Sequence, residues 1–136
     1  MKPSSAKAKG RLMENAVVDY LNAALGVDTI ERRRLTGTKD RGDISGVRFN
    51  DRRVVLEVKN TASLNVTEHL REAHAEAVND GALIGVVVQK RRGLGVADLA
   101  STGDQLVMMT LRDFALLLNG GFPLAHEKPT GGDANA

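Results

Sequence analysis

The sequence predicts a single α/β domain in which a central mixed sheet is flanked by helices. Three observations carry that expectation. The 136 residues and 14.6 kDa suit one domain with one core. Two segments, residues 9–25 and 65–78, repeat apolar positions at helical spacing. Between and after them stand short β-branched runs, including the continuous apolar stretch ALIGVVV at residues 82–88, as expected of a strand covered on both faces.

The elements follow in order. Residues 1–8 are small, polar and basic, and read as a flexible arm before a single domain of residues 9–124; residues 125–136 read as a disordered tail. In the first helix, steps of 100° per residue place Val17, Val18, Leu21 and Leu25 around Glu14, which puts Glu14 in the middle of the buried stripe; Gly26 is the C-cap. Residues 28–35 are expected to be a strand carrying the basic run Arg32, Arg33 and Arg34, followed by the turn-rich loop of Thr36, Gly37, Thr38, Lys39, Asp40, Arg41 and Gly42. Residues 43–49 and 53–59 form two more strands joined by a hairpin turn at Asn50 and Asp51. Asn65 with Glu68 three residues on has a capping-box spacing and starts the second helix, with apolar positions Val66, Leu70, Ala73 and Ala77 and a stop at Asn79, Asp80 and Gly81. After the 82–88 strand come a basic loop at residues 89–95 and a short strand at 106–109. Thr110 caps a last helix over 111–119, whose Leu111, Phe114, Ala115 and Leu118 are expected in the core or a dimer seam; Gly120 and Gly121 stop it.

Composition excludes several function classes. The absence of cysteine removes disulfide frameworks, thiolate metal sites and cysteine nucleophiles. Three histidines without a tight pair argue against a His-rich metal site, and 3% aromatics against a base-stacking platform. No apolar run reaches the ~18 residues of a membrane span, so a cytoplasmic protein without a membrane partner is expected. Nineteen Lys and Arg against seventeen Asp and Glu give a net charge of only +2, so charge placement, not net charge, must argue for nucleic acid.

Three carboxylates stand in awkward places. Glu14 lies on an apolar helix face, Asp43 opens a strand after Gly42, and Glu57 interrupts the apolar run VVLEVK. Alternation sets Val54, Leu56 and Val58 on one face of that strand and Val55, Glu57 and Lys59 on the other, with Glu57 and Lys59 about 7 Å apart at Cα. The hairpin can bring Asp43 beside Glu57. Each residue alone has a structural role open to it: a helix-dipole acid, a turn residue, or half of a same-face ion pair. Together they bury more negative charge than one lysine offsets, and an oxygen-ligand set of this kind suits magnesium or manganese.

Gly42-Asp43, thirteen residues, then Glu57-Val58-Lys59 resembles the D…(D/E)-x-K signature of the PD-(D/E)XK nuclease superfamily. Glu14 matches the extra acid of the first helix in many members, and Gly42 replaces the proline of "PD". The resemblance implies a restriction-endonuclease-like αβββαβ core over about residues 9–119. It is greatest to the small Holliday junction resolvases of archaea and bacteriophages, compact domains with a glycine-containing loop before the Asp. It implies Mg²⁺, with Mn²⁺ substituting, held by Asp43, Glu57, the Val58 carbonyl and, directly or through water, Glu14. Lys59 would orient water and stabilise charge on the phosphate. Products would carry 5′-phosphate and 3′-hydroxyl ends.

Between residues 31 and 59 nine Lys and Arg face five Asp and Glu. The expected DNA-binding residues are Lys9, Arg11, Arg32, Arg33, Arg34, Lys39, Arg41, Lys90, Arg91 and Arg92. His69, Glu72 and His74 are expected on a solvent-exposed face of the second helix. The leading expectation is a Mg²⁺-dependent endonuclease for branched DNA, a Holliday junction resolvase acting as a homodimer. A superfamily nuclease for flaps, single strands or other DNA is the alternative, and a non-catalytic DNA-binding module a third.

Overall fold

A computed structural model of the protein describes residues 3–33 and 41–128. Among the candidate residues, Arg34 and Lys39 lie outside those described, as do Thr36, Gly37, Thr38 and residues 129–136 of the expected tail. The architecture is α/β: a mixed sheet with helices packed on it. None of the described helices is long and apolar enough to cross a membrane.

The first helix, α1 (Pro3–Leu25), starts earlier than expected, so residues 3–8 of the supposed arm are helical. Proline is well placed at a helix start, where its missing N–H costs nothing, and the alanines and lysines after it are good helix formers. Met13 and Val17 are buried and Val18 and Leu21 pack beside them, whereas Leu25 at the C-terminal end is exposed. Asn22 ties the returning chain to α1, its side chain donating to the Ile30 carbonyl at 2.9 Å and accepting from the Ile30 amide at 3.1 Å.

Short strands follow: β1 (Glu31–Arg32), β2 (Ile44–Ser45), β3 (Arg48–Phe49) and β4 (Arg52–Lys59). The single strand expected over residues 43–49 is broken in two at Gly46, whose φ is +93° and where a side chain would collide with the Thr29 backbone. Asn50 and Asp51 make the expected hairpin turn, both with positive φ, the conformation of a two-residue turn that matches strand twist. The second helix, α2 (Val66–Asp80), then crosses over to β5 (Ile84–Gln89), which pairs with β4 in parallel. Asn65 precedes α2 without a side-chain cap, so the expected capping box does not form; Gly81 closes the other end in the left-handed conformation. A short helix, α3 (Leu99–Gly103), has no counterpart among the expected elements; Asp98 caps it by accepting the Ser101 N–H. β6 (Leu106–Met108) and α4 (Leu111–Leu118) follow, where Thr110 caps as expected, and a 3-10 turn at Ala125–Glu127 lies within the expected tail. Strand order is β1-β2-β4-β5-β6, with β3 on β4 and only the β4–β5 pair parallel.

The two faces of the sheet differ in kind. Leu56, Val58, Ile84, Val86 and Val88 join Met13 and Val17 in one hydrophobic core on the α1 side. Each such fully buried side chain contributes about 1.5–3 kcal/mol. The α2 side is thinner, because Gly85 lets the Ala73 carbonyl of α2 lie directly on the strand. A Cβ at Gly85 would overlap that carbonyl, and backbone cannot swing aside as a side chain can. Gly85→Ala is therefore expected to destabilise the fold by roughly 1–3 kcal/mol, read as a lowered midpoint in urea at unchanged slope.

Candidate functional site

The site forms where β2 ends beside β4. Ile44 pairs with Leu56, and the Asp43 N–H donates to the Leu56 carbonyl at 3.1 Å. Two residues further along β4, the Asp43 Oδ2 accepts the Val58 N–H at 2.8 Å, so a carboxylate stands where a strand carbonyl would otherwise be. Gly42 makes this approach possible. Its φ is +96°, and a Cβ there would meet Val55 Cγ1 at 2.6 Å. Proline, which the resemblance would place there, requires φ near −65° and cannot occupy this position.

Glu57 is only 7% exposed and points, with Val55 and Lys59, toward α2. Burial first, and then the neighbouring Asp43 carboxylate, push its pKa up to about 7; contacts with Glu76 and Lys59 act in the opposite sense. Lys59 Nζ bridges Glu57 Oε2 at 3.2 Å and Glu72 Oε1 at 2.7 Å. Burial works to lower the Lys59 pKa, but the two carboxylates outweigh it and hold the ammonium above its ordinary value.

Glu14 reaches the site from the other side of the sheet. It is half-buried, and Arg32 Nε donates to its Oε1 at 3.0 Å. Desolvation, followed by Asp43, raises its pKa against the pull of Arg32 and Arg11. Asp43 is thus the residue that senses both other acids, one from α1 and one from β4. Glu14 and Glu57 lie on opposite faces, and among the described residues no three His, Asp or Glu side chains are arranged to hold a metal ion. The oxygen donors brought together are the Asp43 and Glu57 carboxylates, beside the Val58 backbone.

Several expected roles change. Arg33 is held in a two-pronged ion pair, Nη1 to Asp80 Oδ1 at 3.1 Å and Nη2 to Asp80 Oδ2 at 3.2 Å, and Arg53 joins the same carboxylate at 3.3 Å. Arg33 is thus held within the fold by Asp80, whereas Arg32 pairs with Glu14 and remains exposed. Lys9, Arg11, Arg41, Arg91 and Arg92 are exposed and Lys90 is half-buried. His69 is buried, and Glu72 faces Lys59, so that side of α2 looks at the sheet instead of solvent; only His74 is exposed as expected. Leu111, Phe114 and Leu118 of α4 are not core: they are 81%, 47% and 74% exposed.

Sequence reasoning missed Glu76 and Asp80, both buried. The signal was present as Glu72, Glu76 and Asp80 at i, i+4 and i+8, an acidic line along one helix face. Such a line ordinarily faces water; here it faces Arg53, Glu57 and Lys59 of β4.

Comparison with known protein families, characterised proteins and solved structures finds no match to this chain.

Two outcomes test this geometry. Between the ordinary glutamate value of 4.5 and about 7, folded Glu57 keeps a proton that the unfolded chain releases, so its contribution to stability falls as pH rises through that window. In EDTA the melting temperature is expected to drop from pH 5 to pH 8 by on the order of 5 °C, and Glu57→Gln to flatten the profile. A profile equally steep in Glu57→Gln would show that other groups control it. Gly42→Pro is expected to cost at least about 2 kcal/mol in chemical denaturation, because positive φ cannot be retained.

Proposed function

We propose that this chain is a metal-dependent endonuclease that hydrolyses phosphodiester bonds in branched DNA, with four-way junctions as its substrate and a homodimer as its working form. The observation that carries the reading is the meeting of Asp43, Glu57 and Lys59 at the point where β2 ends on β4. Buried carboxylates side by side in a largely apolar sheet are costly, and Glu57 Oε1 is buried without a hydrogen-bond donor. A hard divalent cation is the partner that such oxygens fit. Mg²⁺ needs only one or two protein carboxylates and completes its shell with water and substrate phosphate, so Asp43, Glu57 and the Val58 carbonyl suffice in type, and Mn²⁺ suits the same donors. The chemistry such an ion supplies when bound is polarisation of the scissile phosphate and activation of water.

The protein's own groups do the rest. Asp43 is oriented by the Val58 N–H and Glu57 by Lys59, so neither carboxylate must be ordered when DNA arrives. Lys59, kept protonated between Glu57 and Glu72, places a positive charge where negative charge grows on the phosphate. Glu14 contributes a further negative charge near Asp43, checked by Arg32. Paired nicks across a junction require two such sites, and the exposed row Leu111, Phe114 and Leu118 offers a second copy an apolar face.

The test is cleavage of a labelled four-way junction beside matched duplex, flap and single strand, in Mg²⁺, Mn²⁺ and EDTA. Paired symmetric nicks confined to the junction are expected, absent in EDTA and in Asp43→Asn, and reduced at least about 100-fold in Lys59→Ala. Metal-dependent cutting of flaps or single strands alone would retain the active site and remove the junction. No cutting of any substrate, with DNA binding intact, would make the chain a binding module.

A further inference from the structure

A cavity of about 500 Å³ opens next to Lys59, where the chain leaves β4 and β5. Its rim carries Lys9 from α1 and Lys90, Arg91 and Arg92 from the loop after β5. Among the described residues none of these four cations pairs with a carboxylate. That sets them apart from Arg32, Arg33, Arg53, Lys59, Arg71 and Arg112, which all do. Four uncompensated charges around one hollow mutually repel, and an anion relieves that repulsion.

The hollow is also built, not a gap between loose loops. Gln89, fully buried at the end of β5, donates through Nε2 to the Thr61 and Lys90 carbonyls, both at 3.2 Å, and so pins both loops to the sheet. Gln105 accepts the Arg91 N–H at 2.6 Å and donates to the Leu94 and Gly95 carbonyls at 3.2 and 2.9 Å, which shapes the far side of the loop. Asn60 donates to the Lys9 carbonyl at 3.3 Å and joins α1 to the floor. Ala62, Leu64 and Leu106 line the same cavity. Four cations and three aliphatic side chains around one hollow, in a volume within the usual range of ligand pockets, match a nucleotide better than a bare phosphate.

We propose that this cavity takes an unpaired nucleotide of the strand that enters the carboxylate site, its phosphates on Lys9, Lys90, Arg91 and Arg92 and its base against Ala62, Leu64 and Leu106. The proposal rests on the nuclease reading and narrows its substrate to DNA in which a nucleotide beside the scissile bond can leave the stack. A base inside continuous duplex must unpair and lose both stacking neighbours to enter, whereas stacking is interrupted at a branch point and a single-stranded end is already unpaired. Selectivity for interrupted DNA then follows from a pocket, without sequence readout. Lys9 and Glu14 lie on one helix about 7.5 Å apart along its axis, and Asn60 directly follows Lys59, so the cavity opens at the end of β4 that carries Lys59.

The experiment measures binding in EDTA, where cleavage plays no part, by fluorescence anisotropy of a labelled duplex and of the same duplex with a short single-stranded extension. Wild type is expected to prefer the extended form about tenfold. Ala62→Trp fills the hollow at an exposed position without altering charge; it should abolish the preference and leave duplex binding in place. Lys90→Ala with Arg92→Ala should weaken both forms, the extended one more. Equal binding of the two DNAs by wild type, or a preference that survives Ala62→Trp, would overturn the proposal. So would displacement of the strand by an equimolar deoxynucleoside monophosphate, which would make this a free-nucleotide site. If the preference holds and no DNA is cut in Mg²⁺, the endonuclease reading fails and the pocket stands. Cutting without the preference keeps the endonuclease and removes the pocket.

Discussion

Taking the Glu57 carboxylate out of water costs several kcal/mol unless its surroundings compensate, and much of the molecule is arranged around that cost. Val55, Leu56 and Val58 beside it are buried, so β4 cannot turn Glu57 outward without exposing the core strand of the sheet. Lys59 offsets part of the charge, but Glu72 shares that lysine. Asp43 adds further negative character instead of relieving it, and the contact with Glu76 offsets only part of the rise. The result is a carboxylate whose pKa stands near neutrality, held in place by a scaffold that is otherwise hydrophobic. Perturbed acids of this kind gather at sites of chemistry more often than in purely structural cores.

The scaffold manages this by giving the sheet two unlike faces. On the α1 side the strands pack Met13, Val17, Leu56, Val58, Val86 and Val88 into a conventional core. On the α2 side small residues, Gly85, Ala73 and Ala77, bring helix and strand close, and a polar seam runs alongside. Asp80 meets Arg53, Glu76 meets Glu57, and Glu72 meets Lys59. Arg33 closes one end of the seam by a two-pronged bond to Asp80, and removing one partner of so buried a pair leaves the other uncompensated. The same seam that fixes α2 on the sheet therefore orients the lysine of the candidate site.

Charge divides along similar lines. Arg32 pairs with Glu14 and Arg33 with Asp80. Four of the cations without a carboxylate partner among the described residues, Lys9, Lys90, Arg91 and Arg92, line the cavity at the ends of β4 and β5, the end of a parallel pair at which ligands of open α/β sheets bind. Gln89 marks that boundary: it is a buried amide at the end of an otherwise apolar strand, and it spends its donors on loop backbone rather than on the core.

What the sequence determined by itself was local and periodic. The helical repeat of α1, the alternation in β4, the continuous run of β5, the Asn50–Asp51 turn and the Thr110 cap all depend on residues a few positions apart, where sterics and short hydrogen bonds decide. The candidate acids and Lys59 were legible for the same reason, since a charge inside an apolar period is visible without a fold. Tertiary structure alone decided which charges meet. Arg33 lies 47 residues from Asp80, and Glu14 lies 18 from Arg32, separations at which no local pattern carries information. It also decided that α2 turns its acidic line inward, because β4 offers matching cations there. It broke the second strand at Gly46 and required glycine at position 42 in order to lay Asp43 on the Val58 amide. An ion pair is set by distance in space, and only the packed sheet determines that distance.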